Sequence, residues 1–150
     1  MSQSLVNNVI HLVFSTRLRQ PWLRDCERDG LHAYLGGILK KHDSPLIEIN
    51  SVSDHVHLLY AQSKNIGVAK LIEHLKTHSS LYLREGFEKY RDFYWQRGYG
   101  AIGVSPTHVK MVRAYVQKQP EHHAHVSFQD EFRRLCERNG VILDERYAWD

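Results

Sequence analysis

Apolar residues follow two spacings along the chain, and these predict its strands and helices. Loose alternation with many β-branched residues predicts four strands. They lie within 5–15, 44–61 (two strands joined by a tight turn) and 93–105. Apolar positions three or four residues apart predict four helices. They lie within 23–41, 68–85, 105–119 and 127–140. Ser105-Pro106 has the residue types that open a helix, Ser127 is a candidate N-cap, and Gly140 is a typical helix end.

The order of these elements predicts the fold. Strand, helix, strand, strand, helix, strand is the ferredoxin-like βαββαβ pattern, an α+β fold with an antiparallel sheet that RNA-recognition domains share. Two extra helices follow at the C-terminal end. With no linker, repeat or low-complexity segment in the sequence, we expect a single domain over residues 1–150.

Two histidines stand one residue apart in the second strand of the predicted hairpin. Because side chains alternate along a strand, His55 and His57 share one face, while Val56, Leu58 and Tyr60 share the core face. In the predicted fold this strand is central in the sheet. The two imidazoles could hold one cation, or they could be ordinary packed side chains.

A tyrosine and a glutamine form a second candidate pair. Tyr115 and Gln119 are four residues apart and would lie on one face of the predicted helix. A nearby cation would stabilise a phenolate and polarise its target, although Tyr115 could equally extend the packing stripe of Val112 and Val116. Pro120 disfavours helical geometry at Gln119, which places Gln119 at a helix end.

Two further motifs leave alternatives open. The stretch RGYGAIGV at 97–104 is similar to the RNA-recognition signature, but Ala101 and Val104 replace two aromatic positions. It could instead be a glycine-rich strand edge. The stretch EHHAH at 121–125 could form a second metal site, and a solvated turn after Pro120 is the favoured interpretation.

Composition indicates the cellular location and the kind of partner that the protein could bind. The net charge of +3 and the pI of 8.9 are compatible with nucleic-acid binding, with basic residues spread along the chain. Cys26 and Cys136 form no metal or redox motif, which favours a reduced, cytoplasmic location. No stretch predicts a membrane span or a signal peptide.

Together these motifs make the sequence resemble the single-tyrosine HUH transposases of the insertion sequence 200/605 group. The resemblance runs from HLVFSTRLRQPWL through VSDHVHLL, LIEHLKTHSS, WQRGYGAIGVS and YVQKQPEHH to the end of the chain. It implies that His55 and His57 are the HUH motif, that Tyr115 is the nucleophile, and that Gln119 is the third ligand of a divalent cation, Mg or Mn.

The family resemblance also implies a substrate and an assembly. Such enzymes nick and rejoin single-stranded DNA at hairpin-marked ends through a covalent 5′-phosphotyrosine, and they form homodimers whose sites can be completed in trans. We expect DNA contacts from Arg17, Arg19 and Lys76. The alternative is a nucleic-acid-binding module of the same fold, either RNA-reading or a domesticated relative without transposition.

Overall fold

The computed structural model describes residues 2–149. The strands are β1 Val9–Ser15, β2 Leu46–Ser51, β3 His55–Ala61 and β4 Gly100–Val104. The helices are α1 Asp25–Lys41, α2 Val68–Gly86, α3 Val109–Gln117, α4 Gln119–His122 and α5 Phe128–Arg138. Short 3₁₀ turns lie at Arg17–Arg19, Glu88–Tyr90 and Pro106–His108. The antiparallel sheet has the order β2-β3-β1-β4, so the predicted ferredoxin-like fold is confirmed.

One face of the sheet packs against α1 and α2 to form the main core. Alternation along β1 and β3 sends one set of side chains into this layer, with a relative exposure of 7% or less. These side chains are Ile10, Leu12, Phe14, Val56, Leu58 and Tyr60. Leu35 of α1 and Leu75 of α2 are fully buried against the same cluster. Full burial of such a side chain contributes about 1.5–3 kcal/mol.

The opposite face is covered by α3 and α4, which contact the β2 side of the sheet, and by α5 and the residues that follow it. Phe128, Phe132 and Cys136 of α5 pack with Val13 of β1 in a smaller apolar cluster. The side chain of Trp149 then packs on α5, with its ring centroid 6.4 Å from that of Phe128 and 5.9 Å from that of Phe132. The chain after α5 therefore folds back and helps to hold this helix on the sheet.

Several predicted boundaries move in the structure. The first strand begins at Val9, and the residues from Ser105 form a 3₁₀ turn in which the Ser105 hydroxyl bonds to Thr107 instead of capping the helix. The predicted helix through Gln119 is interrupted, because Lys118 leaves helical geometry at φ −94° and ψ 12°. The signals around α5 are confirmed. Ser127 accepts a hydrogen bond from the Asp130 amide, and Gly140 has a positive φ of 67°.

Among residues 2–149, no helix is both long enough and apolar enough to cross a bilayer.

Candidate metal and nucleophile site

The histidine pair lies on β3, between β2 and β1, on the face that points away from the main core. Both side chains point to this face, as the alternation along a strand predicts. Both are nevertheless fully buried, because other elements cover this face of the sheet. Cover comes from α4 and α5, since the Nε2 atom of His55 lies 3.0 Å from that of His123 and its ring packs against Phe128. The site is therefore an enclosed centre between the sheet and the C-terminal helices.

The Nδ1 atom of each histidine in the pair has a hydrogen-bond partner on the side away from α4 and α5. The Nδ1 atom of His55 lies 2.7 Å from Asp54 Oδ1, and that of His57 lies 2.8 Å from His11 Nε2 on β1. Because both Nδ1 atoms are bonded on the strand side, both Nε2 atoms point toward α4 and α5. Two imidazole nitrogens thus converge on one region.

The carboxylate of Glu131 on α5 occupies that region. Its Oε1 atom lies 2.8 Å from His57 Nε2, 2.9 Å from His123 Nε2 and 3.5 Å from His55 Nε2. Burial alone would raise the pKa of Glu131, but hydrogen bonds from His123, His55 and His57 outweigh burial and hold the pKa well below its usual range. Glu131 is therefore ionised although its side chain is buried.

The charge environment differs between the histidines around Glu131. Burial works against protonation of His55, yet the carboxylates of Asp54 and Glu131 together raise its pKa. For His57 burial dominates and lowers the pKa to about 4, and burial likewise lowers the pKa of His11 to about 3. His57 and His11 are therefore neutral imidazoles at neutral pH.

Tyr115 reaches the same carboxylate from α3. Its hydroxyl donates to Glu131 Oε2, and its ring centroid lies 5.9 Å from that of His57. Two contacts to β2 fix this part of α3, because Glu48 accepts hydrogen bonds from Arg113 at 3.1 Å and Gln117 at 2.9 Å. Burial and Glu131 both raise the pKa of Tyr115, so its phenol is protonated at neutral pH.

Gln119 is the first residue of α4 and is fully buried. Its amide oxygen and nitrogen have no hydrogen-bond partner among the described residues. An unpaired buried amide costs about 1–3 kcal/mol, which a ligand in this enclosed site could offset. The prediction that Gln119 is a metal ligand is compatible with this position and stays a prediction.

Two residues of the site were missed by sequence reasoning. His123 belongs to EHHAH, for which the sequence favours a solvated turn, and Glu131 lies in an amphipathic helix with several acidic residues. The run of histidines shortly after Tyr115 was a signal for His123. No sequence pattern indicated Glu131, because its contacts depend on how α5 packs against the sheet.

The donor atoms fit a divalent transition metal. One ligand atom each from His55, His57, His123 and Glu131 lies within 4.8 Å of all the others. Three imidazole nitrogens and a carboxylate oxygen suit Zn, Mn or a similar first-row ion better than Mg, which prefers oxygen ligands. Gln119 adds a second possible oxygen donor.

A cavity of about 410 Å³ opens beside Tyr115, between β4, α3 and α5. His11, Tyr115, His108 and Arg138 are among the residues that line it. Its volume is in the range of ordinary ligand sites, and Arg138 carries a positive charge. An anionic group could reach the tyrosine hydroxyl by this route.

The three residues expected to contact DNA lie elsewhere on the surface. Arg17 is exposed and lines a cavity with Tyr94 and Arg97. Arg19 donates to the backbone oxygen of Trp149 at 3.4 Å. The Lys76 ammonium donates to three backbone oxygens, those of residues 96, 97 and 98, at 2.8, 3.2 and 2.6 Å. These three hydrogen bonds give Lys76 a structural role. DNA contact by Arg17, Arg19 or Lys76 stays a prediction.

The segment that is similar to the RNA-recognition signature forms β4, an edge strand. A Cβ atom built on Gly100 would lie only 2.8 Å from the Phe132 ring, so α5 covers this part of the sheet face. RNA-recognition domains need that face open, because their strand aromatics stack on bases there. The covered face does not favour RNA reading in that manner.

Comparison with known proteins agrees with the fold. The family model described as "Transposase IS200 like" matches residues 4–119. The chain therefore belongs to the IS200-like transposases, a family of enzymes that cut and rejoin DNA. No curated protein matches the chain.

Two solved structures share the fold. A crystal structure from Deinococcus radiodurans R1, assigned as a transposase, superposes with a TM-score of 0.62 at 22% identity, over 79% of this chain and 96% of that chain. A REP-associated tyrosine transposase bound to a REP hairpin also gives a TM-score of 0.62, at 12% identity, over 84% of this chain and 76% of that chain.

Proposed function

We propose that the protein is a metal-dependent transposase that nicks and rejoins single-stranded DNA at hairpin-marked ends through Tyr115. The observation that carries the proposal is the convergence of His55, His57 and Tyr115 on one buried carboxylate. A tyrosine beside a candidate cation site has the parts needed to attack a phosphodiester. The hairpin bound to one structural neighbour supports the choice of substrate.

The chemistry can be written from the residues present. The Tyr115 hydroxyl already donates to Glu131, so this carboxylate orients the phenol, whose proton passes to water as the tyrosine oxygen bonds to phosphorus. The bond from phosphorus to the 3′ oxygen breaks, the 3′ oxygen takes a proton from water, and the 5′ side stays on the tyrosine. The reverse attack by a 3′ hydroxyl rejoins the strands without ATP.

The donor set would hold a divalent cation, which would polarise the scissile phosphate. The family resemblance points to Mg or Mn, and the nitrogen-rich set favours Mn of these two. We propose that His55 and His57 bind it, with Gln119, His123 and Glu131 as candidates for the remaining positions.

A covalent-adduct assay tests this function. The protein is incubated with single-stranded DNA that carries hairpins, in Mn²⁺ or Mg²⁺, and the products are separated on a denaturing gel. We expect a protein–DNA adduct that is absent with Tyr115→Phe and retained with Tyr34→Phe, a matched change at a partly exposed tyrosine on α1.

A second variant separates binding from cleavage. We expect His57→Ala to lose the adduct while hairpin affinity stays nearly unchanged, because contacts away from the reacting phosphate supply most of the affinity. An adduct that survives Tyr115→Phe would refute the assigned nucleophile. Tight hairpin binding without an adduct in either metal would favour the alternative of a binding module.

The expected assembly and location extend the proposal. A homodimer working on DNA in the cytoplasm follows from the family resemblance. In the single chain described, Tyr115 lies beside its own histidine pair, with ring centroids of Tyr115 and His57 5.9 Å apart. Sites completed in trans by a partner's tyrosine stay a prediction.

A further inference from the structure

A pair of buried histidines on neighbouring strands lies behind the site. His11 on β1 and His57 on β3 are 3% and 0% exposed, and their facing nitrogens, Nε2 of His11 and Nδ1 of His57, are 2.8 Å apart. The ring planes differ by only 27° and the ring centroids are 5.0 Å apart. This separation is that of two nearly coplanar rings joined end to end by an N–H···N hydrogen bond, not of rings stacked face to face.

One proton lies between these two nitrogens, and its position decides what His57 can do on its other side. A neutral imidazole has one N–H and one lone pair. When His11 donates to His57 Nδ1, the Nε2 atom of His57 carries the other proton and donates to Glu131 at 2.8 Å. When His57 Nδ1 donates instead, its Nε2 atom has a free lone pair, which a metal ligand requires.

His55, the other histidine of the motif, has an Nδ1 partner that fixes the position of its proton. The Nδ1 atom of His55 faces the Asp54 carboxylate at 2.7 Å, and an ionised carboxylate only accepts hydrogen bonds. His55 therefore keeps a proton on Nδ1, whether its Nε2 atom donates to Glu131 or binds a metal. The two histidines of one motif thus have different kinds of supporting partner.

We propose that His11 is a positioning residue that lets His57 change from a hydrogen-bond donor to Glu131 into a metal ligand. The inference rests on the proposed metal-dependent function. His11 suits this role because its Nε2 atom can donate in one tautomer and accept in the other, so the buried pair stays hydrogen-bonded in both states.

Metal affinity without DNA tests the role. Binding of Mn²⁺, and of Co²⁺ followed by its visible absorption, is measured for the wild type and for His11→Phe, which keeps a ring but removes the acceptor. We expect affinity about 10–100-fold weaker in His11→Phe, the usual effect of losing a partner that supports a ligand. His11→Gln, whose amide can also donate or accept, should stay within a few-fold of the wild type.

Val13→Ala is the matched control, since Val13 is buried on the same face of β1 and lies opposite His57 in the strand pairing. We expect it to lower stability and leave metal affinity unchanged. Wild-type affinity in His11→Phe, or an equal loss in Val13→Ala, would overturn the positioning role.

Nitrogen-15 spectra of the histidines give a second readout that packing alone would not produce. We expect the His57 proton to move from Nε2 to Nδ1 when a diamagnetic ion such as Zn²⁺ is added. A His57 proton that stays on Nε2 while the metal binds would overturn the proposal. A wild-type protein that binds no cation would instead refute the metal dependence of the proposed function, and this role with it.

Discussion

The carboxylate of Glu131 meets hydrogen-bonding groups from three elements. Tyr115 comes from α3, His57 from β3, and His123 from the end of α4. A buried charge is tolerated only when it is paired, and here its partners are the proposed nucleophile and the proposed ligands. One side chain thus couples the position of the tyrosine to that of the histidines.

Arg17 allows a test at the scale of one residue. We expect Arg17→Ala to weaken hairpin binding and to reduce the slope of log affinity against log salt by about 1, the loss of one phosphate contact. Arg91→Ala is a control at another arginine with an exposed side chain. Binding measured at several salt concentrations checks this, and an unchanged slope would exclude Arg17 from the interface.

Sequence reasoning found the residues of the site that share a local pattern. Alternation along one strand was enough to place His55 and His57 together on the face away from the core. Helical spacing made Tyr115 a candidate, its role as nucleophile came from a resemblance, and its approach to the histidines is seen in the structure. His123 and Glu131 could not be predicted, because their contacts with His55 cross 68 and 76 residues and depend on helix docking.

At the scale of elements, α5 and β4 are joined by a close contact that only glycine permits. A Cβ atom on Gly100 would lie 2.8 Å from Phe132 Cε2, whereas a Cβ atom on Gly103 would have no neighbour within 4 Å. Both glycines lie in β4, so they form a matched pair. The small residue at position 100 lets the helix sit directly on the strand.

We expect Gly100→Ala to destabilise the protein by about 1–3 kcal/mol, because the added methyl group overpacks the α5 contact. Gly103→Ala should be neutral or slightly stabilising, since the new side chain has room and loses less backbone entropy on folding. Chemical unfolding of the two variants checks this. Equal effects would show that strand propensity, not packing against Phe132, determines the outcome.

The predicted helices differ in how well their ends were placed. Those of α5 were right, because Ser127 and Gly140 act through local backbone geometry. The helix containing Tyr115 was predicted to run through Gln119, but it ends at Gln117 and the chain turns at Lys118. Pro120 had indicated a helix end at Gln119, and the actual break lies one residue earlier.

The stability of the whole molecule should depend on pH through its buried histidines. The folded-state pKa of His11 is lowered to about 3 and that of His57 to about 4, both from an ordinary 6.5. As pH falls below about 6.5, the unfolded chain binds protons that the folded chain does not, so stability is lost toward acid. The raised pKa of His55 acts in the opposite direction, and its contribution is lost as pH rises above 6.5.

Urea unfolding between pH 6 and pH 4.5, with chelator present, measures this dependence. We expect the free energy of unfolding to fall by about 1.4 kcal/mol per pH unit for each of His11 and His57. His11→Gln removes one of these groups and should make the slope correspondingly shallower. The same slope in both proteins would mean that His11 is not a buried neutral histidine in the folded state.

Subunit mixing tests the prediction that the sites are completed in trans. We expect His57→Ala and Tyr115→Phe each to be inactive alone. In a trans arrangement each heterodimer has one site with both intact parts, so about a quarter of all sites in a random mixture should recover nicking. If the tyrosine instead acts in its own chain, where its ring centroid lies 5.9 Å from that of His57, every site keeps one defect and verified heterodimers recover nothing.

The overall topology followed from the order of the elements, since few folds accommodate strand, helix, strand, strand, helix and strand with short connections. The order of the elements did not predict that α5 covers the second face of the sheet. Whether an amphipathic helix packs on its own sheet or on another partner depends on contacts such as Phe128 and Phe132 against Val13, which no local pattern encodes.

The docked C-terminal segment also gives the protein an intrinsic optical reporter. Of the three tryptophans, Trp22 and Trp95 pack with the main core, while Trp149 lies on the opposite side against α5. The guanidinium carbons of Arg19 and Arg133 lie 5.8 and 5.2 Å from the centre of its ring. Lifting α5 from the sheet would remove these neighbours and hydrate the indole, so its fluorescence would shift to longer wavelength. Subtracting the fluorescence spectrum of Trp149→Phe from that of the wild type isolates the Trp149 signal. This signal reports in real time whether α5 covers the site.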